Sequence, residues 1–322
     1  DAGPADVARL TRARLGGRPN PFPAGHRAGF DELVFLPANL TRLVIDPYRE
    51  ACKTLTELGD GLTLQHPMLV SGLDTAPAAI RKAAAQALAE SGGAYVGRLG
   101  LDAPQVPWLQ LLSPGTKADP SAAIVVAVAA PHAAPAKPEL AGAGQKWGVV
   151  ATGANLDAAI TLAVTEKADL LVLDGSGALP ADWADLAGAP DLSLLTAAVR
   201  KLRALKAEEA MPVLWFGGLR SGSDMAKAMA LGCTGGIAGV AAGIAMGGVP
   251  SATGMEFDAS AADDAAASLG RFLKAAVSEC SMMARCTGKT NVHNLEPEDL
   301  RTTSLAAQSA TGIVMAGVKK AG

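Results

Sequence analysis

The stretch Pro212–Gly247, PVLWFGGLRSGSDMAKAMALGCTGGIAGVAAGIAMG, decides the fold. An apolar run, Val213 to Phe216, breaks at Gly217-Gly218. A helix-like segment follows from Ser221 to Leu231, with Met225, Met229 and Ala230 spaced for one apolar face. A second short apolar run ends at Gly239 and passes directly into another helical segment. Strand, glycine turn and helix, twice over, predict the last two units of a (β/α)8 barrel, whose strand carboxyl ends often form a phosphate site. Glycines let a ligand approach the backbone, and the helix beyond them points unpaired N–H groups at an anion. Ordinary βα loops are the other reading of the same pattern.

Upstream, six further apolar runs fit the remaining strands: Pro67 to Ser71, Ala94 to Val96, Leu109 to Leu112, Ile124 to Ala129, Gly148 to Ala151 and Leu170 to Leu173. With the two of the opening stretch they make the eight that a closed parallel barrel requires. Helices are expected from Ala76 to Glu90, Asn155 to Glu166 and Leu192 to Ala207. Between Leu112 and Ile124, and between Ala130 and Gly148, prolines replace any helical pattern. A barrel without covering helices there would expose its strands unless another chain lay over them.

Residues 1–29, rich in Pro, Gly and Arg, read as an extended arm, residues 30–255 as the barrel, and 256–322 as a C-terminal helical extension. Pro47 to Leu58 is expected to form a short helix in a segment packed across one end of the barrel. In the extension, Asp258 and Asp263 are capping candidates for a long amphipathic helix from Asp264 to Arg285, and a second helix is expected to open near Pro297.

Composition narrows the function. The chain of 322 residues has a net charge of −3 and no Lys/Arg cluster, which argues against nucleic-acid binding. Runs such as Ala122 to Ala130 are too short to cross a bilayer. The four cysteines, Cys52, Cys233, Cys280 and Cys286, have no framework spacing, so a reducing cytoplasm is the expected setting. No signal-peptide pattern opens the sequence, and Asp1 rather than Met stands first, which leaves room for a native start upstream.

GGLRSGSDMAKAMALGC with GVAAGIAMG resembles the flavin-phosphate end of the FMN-binding domain of glutamate synthases. The resemblance extends to FDELVFLPANLTRL, HPMLVSGLDTAP, GANLDAAITLAVTEKADLLVLDGSGA and the run from Leu269 to Gly317. The branch it is most similar to is the short, stand-alone type found as a subunit of archaeal glutamate synthase and N-methylglutamate synthase complexes, which act in amino-acid and methylamine metabolism. The resemblance implies FMN held by Ser71, Gly72, Gly217, Gly218, Arg220, Gly239 and Val240. Its implied partners are a fuller FMN-binding homologue and an amidotransferase-type subunit.

The departures point the other way. The family loop Ser-Gly-Met-Ser-x-Gly-Ala is here Ser71-Gly72-Leu73-Asp74-Thr75-Ala76. The Thr-Gly-Glu-Gly-Gly patch corresponds at best to Val96-Gly97-Arg98-Leu99-Gly100. The strand Ile124 to Ala129 has no lysine to stabilise charge on a reduced flavin. Val240 stands where a threonine would give the phosphate a hydroxyl. Cys280, Cys286 and Asn291 occupy the spacing of three cluster-binding cysteines, and Asn is a poor iron ligand, so no iron–sulfur cluster is expected.

Other chemistry is sparse. His293 with Glu296, Glu298 and Asp299 reads as a metal or acid–base group or, in the reading preferred here, as helix capping by Asn294 or a neighbour. Asp74, Asp174 and Asp182 are placed to face the barrel mouth without a paired base or nucleophile. Arg220 is either a phosphate contact or a surface arginine. Two functions follow from the sequence: a pseudoenzyme-like partner of an active homologue, its FMN binding weakened or lost, or an active FMN-dependent oxidoreductase joining an amine to 2-oxoglutarate.

Overall fold

Eight parallel strands close into a barrel in the computed structural model, which describes residues 27–38, 50–59, 61–130, 133–177, 179, 189–250 and 254–318. In chain order they are β1 (Met68–Ser71), β2 (Tyr95–Gly97), β3 (Trp108–Leu112), β4 (Ile124–Ala127), β5 (Lys146–Ala151), β6 (Leu170–Asp174), β7 (Val213–Phe216) and β8 (Gly235–Ala238). Each pairs with its sequence neighbour, and β8 returns to β1 through Ile237 opposite Leu69. All eight strands lie where the apolar runs predicted them. The proposed arm lies almost wholly outside the described residues.

Side chains alternate between two cores, as strand geometry requires. Leu69, Val96, Leu109, Leu111, Val126, Val172, Leu214 and Ile237 fill the barrel interior. Leu58 and Leu64, from a short antiparallel pair, Thr56–Glu57 with Thr63–Leu64, join the same cluster at its amino end. The described part of the helix expected from Pro47 to Leu58 is therefore extended chain. Leu55 and Leu58, three residues apart, have helical spacing, but pairing with Thr63–Leu64 buries Thr56 and Leu58 and leaves Leu55 and Glu57 exposed.

The outer core lies between the strands and helices α1 (Ala78–Ser91), α2 (Leu156–Thr165), α3 (Ser193–Ala204), α4 (Gly222–Ala230) and α5 (Val240–Ala245). Because α5 spans six residues, the long helix α6 (Ala262–Cys286) supplies the missing cover, lying between α1 and α4. A Cβ on Gly222 would collide with the Ala276 carbonyl, so glycine there sets how closely α4 meets α6.

Strands β2, β3 and β4 lack helices among the described residues, yet every residue in them is buried. The expected exposure does not occur, because irregular segments are pinned to this wall. Gln110, buried on β3, accepts from Asp119 N at 2.8 Å and donates to Lys117 O at 3.3 Å. Gln145 donates to Asp119 O at 2.7 Å, and the Trp108 indole donates to Gly97 O at 3.0 Å. Side-chain amides replace the hydrogen bonds that a helix would have satisfied internally.

The C-terminal chain returns to the front of the sequence. Leu300–Thr302 pairs antiparallel with Leu33–Phe35, ahead of helix α7 (Leu305–Thr311). The helix expected near Pro297 is a single 3-10 turn, Pro297–Asp299. Asp299 reaches back to Glu296 N at 2.9 Å, and the next residue already belongs to the strand.

Two outcomes test this packing. Gly222→Ala should destabilise the protein by about 1–3 kcal/mol through overpacking, while Gly270→Ala, with nothing near its new methyl, should stabilise it by about 1 kcal/mol. Urea midpoints that fail to move in opposite directions would refute the close α4–α6 approach. The second concerns His66, whose pKa burial lowers from 6.5 to about 4. Its folded value is depressed, so stability present above pH 6.5 is lost as pH falls toward 4, by about 3 kcal/mol. His66→Asn should flatten that part of the stability–pH curve.

Candidate functional site

The carboxyl ends of the eight strands form the mouth, where a (β/α)8 barrel carries its chemistry. Their last residues are Ser71, Gly97, Leu112, Ala127, Ala151, Asp174, Phe216 and Ala238. None is a cation, and Asp174 is the one titratable group among them. It is 1% exposed, and its carboxylate faces into its own loop.

That loop closes on the barrel. Asp174 accepts from Ser176 N at 3.0 Å, Ser176 Oγ at 2.6 Å, Gly177 N at 2.9 Å and Leu179 N at 2.5 Å. Leu179 is thereby turned inward, 5% exposed, and packs with the interior cluster that contains Phe216 and Val172. The sequence placed Asp174 at the mouth but held no signal for the Leu179 insertion. Asp182 lies outside the described residues.

A second carboxylate ties the loops after β1 and β2. Asp74 accepts from Arg98 N at 2.8 Å, Arg98 Nε at 3.1 Å, Leu99 N at 3.3 Å and the Tyr95 hydroxyl at 3.0 Å. Tyr95 in turn accepts from Leu73 N at 3.1 Å. Burial first, then the neighbouring Asp74 charge, raise the Tyr95 pKa and keep the phenol protonated. A Cβ on Gly97 would collide with this Asp74–Tyr95 pair.

The predicted cradle residues divide. Ser71 is buried at the end of β1, and Gly72 follows with φ +83°. Gly217 and Gly218 form the turn after β7 with φ +127° and +68°, a backbone open chiefly to glycine. Pro190 sits on them: a Cβ on Gly218 would lie 2.9 Å from its ring. Gly239 caps α5 and Val240 begins it.

Arg220 is held by two carboxylates. It bonds Asp31 at 2.9 and 2.8 Å, and Asp224 through Nε at 2.9 Å and a terminal nitrogen at 3.0 Å. The Asp31 bonds, then the Asp224 bonds, raise its already high pKa further. Asp224 also accepts from Arg220 N at 3.0 Å, and Ser221 Oγ caps α4 by accepting from Asp224 N at 3.3 Å. The start of α4 thus faces a carboxylate of its own chain.

The remaining candidates have structural contacts. His293 Nε2 donates to Leu55 O at 2.9 Å, and burial lowers its pKa. Capping here falls to Asn291, whose Oδ1 accepts from His293 N at 3.1 Å, rather than to Asn294. Cys280 is buried with Sγ 3.9 Å from Met229 Sδ, while Cys286 is exposed. Among the described residues no group of three or more His, Cys, Asp or Glu could hold a metal ion, and no helix is long and apolar enough to cross a membrane.

The architecture is a (β/α)8 barrel that solved structures share. It matches the recombinant flavin-binding domain of baker's yeast flavocytochrome b2 with a TM-score of 0.61 and 15% identity, covering 90% of this chain and 80% of that one. It matches a mandelate oxidase with a monooxide FMN adduct at 0.58 and 17%, covering 86% and 89%.

Sequence carries the assignment further. Residues 143–252 match the conserved region in glutamate synthase. A glutamate synthase large subunit-like protein of Rhizobium meliloti (strain 1021) is 32% identical over 190 residues, 48% of this chain and 43% of that one. The chain is thus similar to glutamate synthases over part of its length, and it spans less than half the length of that relative.

Those neighbours make FMN the group against which to test the mouth, and the residues present fit it poorly. Leu179 and Phe216 pack within the interior cluster, Pro190 covers the glycine turn, and Arg220 is already paired. Replacing Asp174 with Ala strips three backbone N–H groups of a charged acceptor. A loss of about 2–3 kcal/mol is expected, with faster proteolysis between residues 175 and 191. Unchanged cleavage would show that Asp174 does not hold the loop.

Proposed function

We propose that this chain is a non-catalytic member of a glutamate-synthase-like assembly, a structural or regulatory partner for a fuller FMN-binding homologue and an amidotransferase-type subunit. The observation that carries this reading is the self-filled mouth. Asp174 gathers three N–H groups of its own loop and Leu179 enters the barrel. Groups that a flavin enzyme must present to its cofactor are satisfied by the chain itself.

That no strand ends on a cationic residue, and that Arg98, which follows β2, is paired with Asp74, support the same reading. Catalysis of reductive amination also needs a donor or acid beside the reacting atoms. Asp74 and Asp174 are both acceptors for backbone N–H groups.

A second reading, an FMN-dependent oxidoreductase joining an amine to 2-oxoglutarate, is favoured by one observation. The family match at residues 143–252 covers the strands from β5 to β8, including Gly217, Gly218 and Gly239. FMN would supply the hydride chemistry in that case, with its phosphate near these glycines.

Flavin titration separates the two. Added FMN should keep its free fluorescence and anisotropy in the presence of the purified protein, and the protein should be colourless. Stoichiometric FMN released on denaturation would sink the partner reading. Copurification with a homologue that does carry flavin is the expected result of affinity capture from the native host.

A further inference from the structure

At the end of the barrel opposite the mouth, α1 and α6 border a cavity of about 720 Å³. Gln65 and His66 just ahead of β1, Ser91 at the end of α1, and Arg271, Lys274 and Ser278 along α6 line it. This volume lies within the range of small-molecule sites.

Its chemistry is asymmetric. Lys274 enters no salt bridge among the described residues, and Arg271 bonds Ser268 Oγ at 2.7 Å through one terminal nitrogen. The carboxylate in the wall, Glu90, already accepts from Gln86 Nε2 at 3.0 Å. His66 Nδ1 accepts from Met68 N at 3.3 Å, which leaves the ring proton on Nε2, and that nitrogen is buried without a partner. Donors and positive charge outnumber acceptors, while Leu273 and Val277 give an apolar floor.

Gly270 supplies an independent observation. It stands inside α6, where glycine is disfavoured, and a Cβ built there would meet nothing within 4 Å. No neighbour among the described residues requires its smallness. The open space begins at the helix backbone.

We propose that this cavity binds a small anionic metabolite with a carboxylate or phosphate group beside Arg271 and Lys274 and a short carbon skeleton over Leu273 and Val277. The site is independent of whatever the mouth binds.

Calorimetry and thermal unfolding of the intact protein with glutarate or inorganic phosphate as probe test this. Saturable binding and a raised unfolding midpoint are expected for one of them. Glutarate would identify a carboxylate ligand, and phosphate a phosphorylated one. Affinity should fall at least about tenfold in the Arg271→Gln/Lys274→Gln variant. Gly270→Leu should abolish binding while the unliganded midpoint holds or rises, which excludes misfolding as the cause. Failure of both probes to bind, or binding that survives both variants, overturns the proposal.

Discussion

Backbone contact between two helices, α4 against α6 at Gly222, is the constraint on which the barrel wall depends. Strand β8 has only the six-residue α5 behind it, and an uncovered parallel strand would leave apolar surface and a weakened outer core. Helix α6 fills that place by lying between α4 and α1. A side chain at position 222 would force it outward, since the obstructing atoms are the Ala276 carbonyl and the Cys280 N–H. The C-terminal segment is therefore part of the wall. It also closes the chain on itself where Leu300–Thr302 pairs with Leu33–Phe35.

At the mouth a different constraint dominates: buried backbone N–H groups need acceptors. In an anion-binding barrel a phosphate answers that need. Here Asp74, Asp174 and Asp224 each accept backbone N–H groups from loops at the strand ends. Fixed internal carboxylates leave less for an incoming anion to gain, and their charge opposes it. Burial of Leu179 adds a hydrophobic term in the same direction, which a ring entering the barrel would have to reverse.

Much of the fold was legible in the sequence because each barrel strand is an apolar run bounded by glycine, proline or a charge, and each helix has a 3.6-residue apolar face. The misread segments lack that clarity. Leu55 and Leu58 have helical spacing, which pairing with Thr63–Leu64 overrides, and Pro297 opens a turn whose fate depends on a partner strand some 260 residues earlier, Leu300 pairing with Phe35. The site was less legible. Asp74 and Asp174 could be placed at strand ends, but not the donors they would attract. The pinning of loops by Gln110 and Gln145, the Pro190 contact and the His66 cavity all arise from long-range packing, which a single sequence does not record.

Glycine illustrates why. Sequence alone does not distinguish the surroundings of Gly97, Gly217, Gly218, Gly222 and Gly270. In the structure, what a Cβ would meet distinguishes them. Gly97 makes room for Asp74 and Tyr95, Gly217 and Gly218 for Pro190, and Gly222 for the α6 backbone. All four have packing reasons within the chain, Gly217 and Gly218 among them. Gly270 has no such neighbour among the described residues and borders the cavity lined by Arg271 and Lys274. At Gly217 and Gly218 the packing of Pro190 is itself a reason for glycine, whereas at Gly270 the reason lies outside the packing of the described chain.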